Sequence, residues 1–368
     1  MYFDFLNMKG IDEVMKKGYI VLENGQVFEG NRFGYEGEAK GELVFSTSAV
    51  GYIEALTDEC YNGQILLQTF PLIGNYGWIG SDTNGKKIQP AAYIVREWCE
   101  APSNFRCEGT LDAALKESKI PGIYGVDTRA LTRLIRESGV MNAFICDDPS
   151  KVDLEELKSF KPANPTISKN AVESAKVYKA ENEKYNVTVI NYGALGNTVE
   201  SLLSRGCSVK VVPHNTEAED ILMDDPDGII LSNGAGDPSE NTECIGQIKK
   251  LAGQKPLFAV SLGHQMLALA MGATTHKLKY GHRGGNQPVK LVETGKTYIT
   301  NQNHGYAVDN ASVVKTIGEM MFVNGNDGTC EGIEYKSIKA FSVQFVPEKG
   351  CATMDTEALL FDKFIQML

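Results

Sequence analysis

Residues 257–272, LFAVSLGHQMLALAMG, form the segment of this chain best suited to nucleophilic chemistry. An apolar strand is predicted to end at Val260 and an apolar helix to follow, which places Ser261 at the junction. A sharp strand-to-helix turn can hold one side chain in a strained position, and the helix N-terminus supplies N–H groups for an oxyanion. A buried turn whose serine only caps the helix has the same pattern. The spacing alone leaves both interpretations open.

A second segment, residues 232–238 (SNGAGDP), follows another predicted strand. Gly234 and Gly236 permit a positive φ or a close approach of the backbone to a ligand. An ordinary glycine turn has the same composition, and for this segment alone it is the favoured interpretation.

The elements that must position these residues change in character along the chain. Residues 18–150 combine short β-rich runs with turns, including an Asn24-Gly25 hairpin signal, and are predicted to form an α+β domain. Residues 151–184 are rich in Lys, Glu and Pro and are predicted to be a linker. Residues 185–368 alternate strands with helices, which predicts a mainly parallel sheet flanked by helices. The expected fold class is α/β with two domains.

Length, charge and cysteine content limit the class of protein. A chain of 368 residues suffices for about two domains. Its 36 basic and 47 acidic residues give a net charge of −11 without a long basic cluster, so no nucleic-acid partner is expected. The longest apolar run is too short to cross a membrane, and the first ten residues lack the basic start of a signal peptide. Eight cysteines without a C-x-x-C pair predict reduced thiols in the cytoplasm and no metal site.

The segments around the turn resemble the class I glutamine amidotransferases, in S-L-G-H-Q at 261–265 and in GATTHKLKYGHRGGNQPV at 272–289. In the first half, residues 47–77 and 121–139 resemble the N-terminal domain of the small subunit of carbamoyl-phosphate synthetases, which other amidotransferases lack. The resemblance covers nearly the whole chain. It implies that small-subunit-specific domain followed by a class I glutamine amidotransferase domain. It also implies a large-subunit partner that uses ATP, bicarbonate and Mg and receives ammonia, with no cofactor in this chain.

The same resemblance shows two departures from the family's catalytic pattern. Ser261 occupies the position of the family's nucleophilic cysteine, and Val346 that of the histidine in a segment resembling Q-F-H-P-E. Glu348, at the position of the orienting carboxylate, is retained. A serine depends more on a general base than a cysteine does, because an alkoxide is harder to generate than a thiolate. Of the histidines that remain, His264 is expected to project away from the turn, and His304 is the alternative base. Glutaminase activity is therefore expected to be lost or severely impaired.

The resemblance implies that the glutamine pocket itself is largely retained. Side-chain amides can donate and accept hydrogen bonds, so they can hold a neutral amino-acid side chain without adding charge. The turn at residues 191–197 (NYGALGN) lacks the acid and the lysine that the family often has there. Glutamine is thus a candidate ligand. The glutamine contacts that carry over are Ser48, Gly234, Gly236, Leu262, Gln265, Asn303, Gly305 and Tyr306.

Three functions remain open on the sequence alone. The leading hypothesis is a small subunit of carbamoyl-phosphate synthetase, or a close paralogue, in an ammonia-dependent complex that serves pyrimidine or arginine synthesis. The second is a glutamine-binding regulatory pseudoenzyme without a synthetase partner. The third is a serine hydrolase, and the absence of a histidine beyond His304 argues against it.

Overall fold

The first half of the chain closes into a β-barrel. The computed structural model describes residues 16–83, 86–161, 167, 171–313, 318–347 and 354–368. The strands of this half are β1 (Lys17–Leu22), β2 (Val27–Gly34), β3 (Ala39–Ser46), β4 (Gln64–Gln68), β5 (Leu72–Ile73), β6 (Ala92–Ile94), β7 (Glu97–Trp98), β8 (Pro121–Tyr124) and β9 (Met141–Cys146). Seven of them form the barrel in the order β1-β2-β8-β6-β4-β3-β9, and β5 pairs with β7. The predicted hairpin is confirmed: β1 and β2 are antiparallel, and Gly25 between them has a φ of 85°.

Apolar side chains that alternate along these strands fill the barrel. Ile20, Leu22 and Ile65 are fully buried inside it, together with Leu131 and Ile135 from a covering helix. The helices of this half are α1 (Tyr52–Leu56), α2 (Leu111–Glu117) and α3 (Thr128–Ser138). Asp127 begins α3 by accepting a hydrogen bond from the Ala130 N–H.

The predicted linker is divided between the two halves of the chain. Helix α4 (Leu154–Ser159) packs on the barrel, where the side-chain amide of Asn142 donates to the carbonyl oxygens of Leu157 and Phe160. Strand β10 (Lys176–Tyr178) joins the edge of the C-terminal sheet instead. Residues 162–166 and 168–170 of the predicted linker lie outside the described residues.

The second half is a ten-stranded sheet covered by helices on both faces. Its other strands are β11 (Tyr185–Ala194), β12 (Cys207–Pro213), β13 (Gly228–Gly234), β14 (Leu257–Val260), β15 (Thr275–Leu291), β16 (Thr297–Val308), β17 (Glu319–Asn324), β18 (Cys330–Tyr335) and β19 (Ala340–Val343). Its helices are α5 (Thr198–Leu203), α6 (Ala218–Met223), α7 (Thr242–Leu251), α8 (Leu262–Ala270) and α9 (Met354–Ile365).

Only the centre of this sheet is parallel. Strands β12, β11, β13, β14 and β19 run parallel in that order. Strand β10 on one side and β18, β17, β15 and β16 on the other are joined through antiparallel pairings. The α/β fold class with two domains is confirmed, and the antiparallel extension adds to the mainly parallel sheet expected from the sequence.

Adjacent residues of the central strands point to opposite faces of the sheet. Leu231 packs with α6, α7 and α8 on one face, whereas Ile230 packs with α5 and α9 on the other. Phe258 stacks on Phe341 with ring centroids 4.5 Å apart, and this second face is closed by Phe361. These layers fix the position of β14 and therefore of the turn that follows it. No helix in the described parts of the chain is both long and apolar enough to span a membrane.

Candidate functional site

The turn between β14 and α8 holds Ser261 in a strained conformation. Its φ of 51° and ψ of −106° lie where residues with a side chain are seldom found. The N–H of Ser261 donates to the carbonyl oxygen of Val343 on the neighbouring strand (2.8 Å). A Cβ at Gly263 would lie 2.6 Å from the carbonyl oxygen of Leu231, so only glycine fits this close approach. The hydroxyl of Ser261 makes no capping hydrogen bond to α8, which excludes the alternative of a simple cap.

The polar neighbour of the Ser261 hydroxyl is an amide. Gln344 Nε2 lies 3.5 Å from Ser261 Oγ. The same amide is held by Gln265, whose Nε2 donates to Gln344 Oε1 (2.8 Å) and to the carbonyl oxygen of Tyr306 (2.6 Å). An amide does not take up a proton near neutral pH, so this arrangement orients the serine without activating it.

Neither nearby histidine is placed to act as a base for Ser261. His264 is fully buried, its Nδ1 lies 2.7 Å from Ser342 Oγ, and burial lowers its pKa to about 3. The expectation that His264 projects away from the turn is therefore confirmed. His304 lines the cleft beside Ser261, but its Nδ1 donates to the carbonyl oxygen of Tyr306 and its Nε2 lies 3.0 Å from Gln302 Oε1. Burial also holds the pKa of His304 well below its usual value.

Val346 lies at the same edge of the sheet as Ser261. Strands β14 and β19 are parallel neighbours with Val260 opposite Val343. The residues that follow the two strands therefore leave the sheet at the same carboxyl-terminal edge. The Val346 N–H donates to the carbonyl oxygen of Asn301 (3.1 Å), which fixes its backbone there. Glu348 and Cys351 lie outside the described residues.

A cleft between the barrel and the C-terminal sheet opens at Ser261. It contains about 870 Å³ of empty space, a figure that includes the open solvent at its mouth. The structure brings most of the predicted contact residues together there. The exception is Ser48, which does not line the cleft: its Oγ accepts a hydrogen bond from the Gly285 N–H (2.7 Å). The predicted residues that line the cleft with Ser261 are Gly234, Gly236, Leu262, Gln265, Asn303, Gly305 and Tyr306.

One wall of this cleft comes from the barrel, which the sequence did not indicate. Cys60 donates from Sγ to the carbonyl oxygen of Gly234 (3.4 Å), and Asp58 accepts a hydrogen bond from Asn303 Nδ2 (2.7 Å). Further lining residues that the sequence analysis missed are Glu42, Asn62, Gln64, Val140, Lys277, Leu278, Tyr280, Gly281 and Arg283. Of the four from the barrel, Glu42 and Val140 lie in no segment that the sequence analysis singled out, and Asn62 and Gln64 belong to residues 47–77, noted only for their resemblance. The five from β15 belong to a segment noted only for its resemblance.

A buried polar network lies behind the cleft. His282 Nε2 is 2.9 Å from Asp327 Oδ2, and His282 Nδ1 is 3.3 Å from Glu331 Oε1. Glu331 also accepts hydrogen bonds from the amides of Asn324 (2.8 Å) and Gln302 (3.1 Å). Burial disfavours the imidazolium, but the two carboxylates outweigh it and raise the pKa of His282 to about 9. The network is therefore a buried cation between two acidic groups.

The same network contains the described residues best placed to hold a metal ion. Ligand atoms of His282, His304 and Glu331 all lie within 4.8 Å of one another. Each of these side chains already has hydrogen-bond partners, and a protonated His282 has no lone pair for a metal. The geometry thus supports an ion-paired network more directly than a metal centre.

The His282 network predicts that stability falls in alkaline solution. The pKa of His282 is raised from 6.5 in the unfolded chain to about 9. The contribution of His282 to the free energy of unfolding is therefore complete below about pH 6.5 and is lost as the pH rises through 9. Between pH 6.5 and 9.5 we expect His282 to account for a decrease of roughly 3 kcal/mol in the free energy of unfolding. Urea denaturation followed by far-ultraviolet circular dichroism measures it, with His282→Asn as the control. An equal decrease in that variant would assign the effect to other groups.

Comparison with known proteins finds matches over both halves of the chain. The family described as carbamoyl-phosphate synthase small chain, CPSase domain, matches residues 20–145, and glutamine amidotransferase class-I matches residues 188–367. A carbamoyl phosphate synthase small chain of Fusobacterium nucleatum subsp. nucleatum is 46% identical over 349 residues, covering 94% of this chain and 97% of that protein. The small chain of Clostridium acetobutylicum is 44% identical over 353 residues, covering 95% and 100%. A carbamoyl phosphate synthase pyrimidine-specific small chain of Halalkalibacterium halodurans is 43% identical over 354 residues, covering 96% and 97%.

Proposed function

This chain belongs to the family of carbamoyl phosphate synthase small chains, and we propose that it is a subunit of that synthetase which has lost its own glutaminase activity. In this proposal it pairs with a large subunit that uses ATP, bicarbonate and Mg. The complex takes its nitrogen from free ammonia. It supplies carbamoyl phosphate for pyrimidine or arginine synthesis.

The observation that carries the proposal is the absence of a general base at Ser261 among the described residues. Attack on the side-chain amide of glutamine needs a nucleophile whose proton is removed as the bond forms. The hydroxyl of Ser261 faces the amide of Gln344, and His304 is held by other partners. The residue at the position assigned to the family's histidine is Val346, whose side chain cannot accept a proton.

We further propose that glutamine still binds in the cleft and is not consumed. Seven of the eight contact residues inferred from the resemblance line the cleft with Ser261. A ligand that binds one conformation of the complex better than another shifts the population toward it, and an unhydrolysed ligand can do so indefinitely. The chain would then act as scaffold and glutamine-responsive regulator of the large subunit. We place the complex in the cytoplasm, because the seven cysteines that the structure describes are all unpaired.

Carbamoyl phosphate formation by the reconstituted complex tests the proposal. The chain is co-expressed with the large synthetase chain of the same source, and the rates with glutamine and with ammonium are compared. We expect synthesis with ammonium, a rate with glutamine on the order of 10³-fold lower, and no glutamate release above that of a Ser261→Ala variant. Equal rates with the two nitrogen donors would refute the loss of glutaminase activity.

Two other outcomes would identify the alternative functions. If the chain binds glutamine but does not co-purify with a large synthetase chain, a regulatory pseudoenzyme without a synthetase partner becomes the better hypothesis. Labelling of Ser261 by a fluorophosphonate probe would indicate a serine hydrolase, because that reaction needs an activated serine.

A further inference from the structure

A buried guanidinium lines the cleft without an acidic partner. Arg283 lies on β15 opposite Asn303 of β16, and only 4% of its surface is exposed. Within the described parts of the chain, Arg283 forms no ion pair, and its guanidinium donates one hydrogen bond, from Nη1 to the carbonyl oxygen of Tyr280 (2.7 Å). Its Nε is buried with no hydrogen-bond partner among those residues. Buried charges in proteins are normally paired, so this arrangement is incomplete as it stands.

The backbone around Arg283 is shaped to hold a guanidinium. Gly281 has a φ of 73°, and a Cβ there would lie 2.2 Å from Arg283 Nη1. A Cβ at Gly305 would lie 3.3 Å from Nη2, tighter than an ordinary contact. Any other residue at Gly281 would force the side chain of Arg283 to move. The backbone of β15 and β16 at these two glycines therefore fixes the position of the Arg283 guanidinium.

The nearest acidic side chains are bound to other groups. Glu42 pairs with Lys277 and accepts a hydrogen bond from Gln64 Nε2 (3.1 Å). Asp58 accepts hydrogen bonds from Asn303 Nδ2 (2.7 Å) and from a backbone N–H. Both attract Arg283 through space, but burial is the larger influence and lowers its pKa. An anion entering the cleft would give the guanidinium its missing acceptor.

An α-amino acid carries both charges that this cleft can receive. A carboxylate matches the forked geometry of a guanidinium. The barrel wall of the cleft offers the ammonium group the carboxylate of Glu42, whose partner in this structure is Lys277. We propose that Arg283 is the residue that binds the α-carboxylate of a free amino acid in this cleft and so selects a zwitterionic occupant. This inference rests on the proposed function, since it concerns how the unhydrolysed glutamine is recognised.

A thermodynamic cycle of binding affinities, in which residue 283 and the ligand are changed separately and together, tests this role. Calorimetric titrations compare L-glutamine with L-glutaminamide, in which a neutral amide replaces the α-carboxylate, on the parent chain and on Arg283→Met. We expect each single change to weaken binding at least tenfold. We expect Arg283→Met to leave the affinity for L-glutaminamide unchanged, because this ligand has no α-carboxylate for residue 283 to bind. Lys290→Met, an exposed lysine on the same strand outside the cleft, is the matched control and should bind both ligands as the parent does.

The outcomes separate this inference from the proposed function. Equal affinity of the parent and Arg283→Met for L-glutamine, or equal affinity of the parent for both ligands, overturns the role of Arg283 and leaves the proposed loss of glutaminase activity untouched. Glutamate release during the titration overturns the proposed function instead. If Arg283→Met does not fold, the comparison of the two ligands on the unchanged chain can still overturn the inference, because equal affinity would mean that the α-carboxylate is not recognised. A parent chain that binds neither ligand overturns it as well.

Discussion

The double replacement Ser261→Cys and Val346→His is expected to give glutamine-dependent carbamoyl phosphate synthesis on the order of 10³-fold faster than the parent complex, whereas either replacement alone gives little. The members of a catalytic triad act as a unit, so removing one costs nearly as much as removing all. Restoring one member in a chain that lacks two therefore recovers almost nothing. The gain comes when nucleophile and base are present together.

The geometry favours such a restoration because the positions of both residues are intact. Residue 261 keeps its strained turn, which is held by the hydrogen bond to Val343 and by the close approach of Gly263 to Leu231. Residue 346 is fixed by its own backbone hydrogen bond at the same edge of the sheet. The fold thus keeps both positions at the carboxyl-terminal edge of two neighbouring parallel strands.

The matched control combines Ser261→Cys with Val346→Asn, which adds a polar side chain but no base. It should remain inactive with glutamine, and all variants should keep the ammonium-dependent rate of the parent. Glutamine-dependent activity in Ser261→Cys alone would show that another residue serves as the base. An inactive double variant that still uses ammonium would place the defect elsewhere in the cleft.

The replacement Glu331→Ala is expected to lower the free energy of unfolding by about 3–5 kcal/mol. It removes one of the two carboxylates that hold His282, which remains buried and charged, and it leaves the amides of Gln302 and Asn324 without their acceptor. Glu331→Gln keeps the shape and part of the hydrogen bonding, so we expect a smaller loss than with alanine. Removing one partner of an exposed ion pair lowers the free energy of unfolding far less than removing one partner of a buried pair.

Urea denaturation followed by far-ultraviolet circular dichroism measures this loss. Tryptophan fluorescence does not suit the experiment, because both tryptophans, Trp78 and Trp98, belong to the N-terminal half, away from this network. Glu319→Ala on β17, which removes an exposed partner of Lys336, is the control and should change stability by less than about 1 kcal/mol. A similar small change in Glu331→Ala would mean that the network is rearranged or hydrated when its carboxylate is removed.

The turn at Ser261 could be predicted from sequence because its determinants are local. An apolar strand, Ser261 directly after it and an apolar helix follow one another within residues 257–272, and the structure places them as expected. Gly234 and Gly236 were recognisable for the same reason. The alternation of strands and helices likewise predicted the fold class of the second half, since hydrophobic period and connection length are properties of adjacent residues.

The rest of the site depends on contacts between distant residues. Cys60 and Gly234 are hydrogen-bonded although 174 positions separate them in the sequence, and Asn303 and Asp58 although 245 positions do. No local sequence pattern therefore predicts the barrel wall of the cleft. His282 and Glu331 are ordinary polar residues in sequence and form a buried pair only because β15, β17 and β18 are neighbours. Arg283 was part of a quoted segment, but its burial without an acidic partner is a property of the folded chain alone.

The division of the cleft wall between barrel and sheet has a thermodynamic consequence. Each half has its own hydrophobic core, so each can in principle lose its structure separately. A molecule bound between them makes its contacts only while both halves are folded and docked, and its binding free energy is lost if either one opens. Occupancy of the cleft therefore couples two folding units into one cooperative unit, and the concentration of the occupant sets the strength of that coupling.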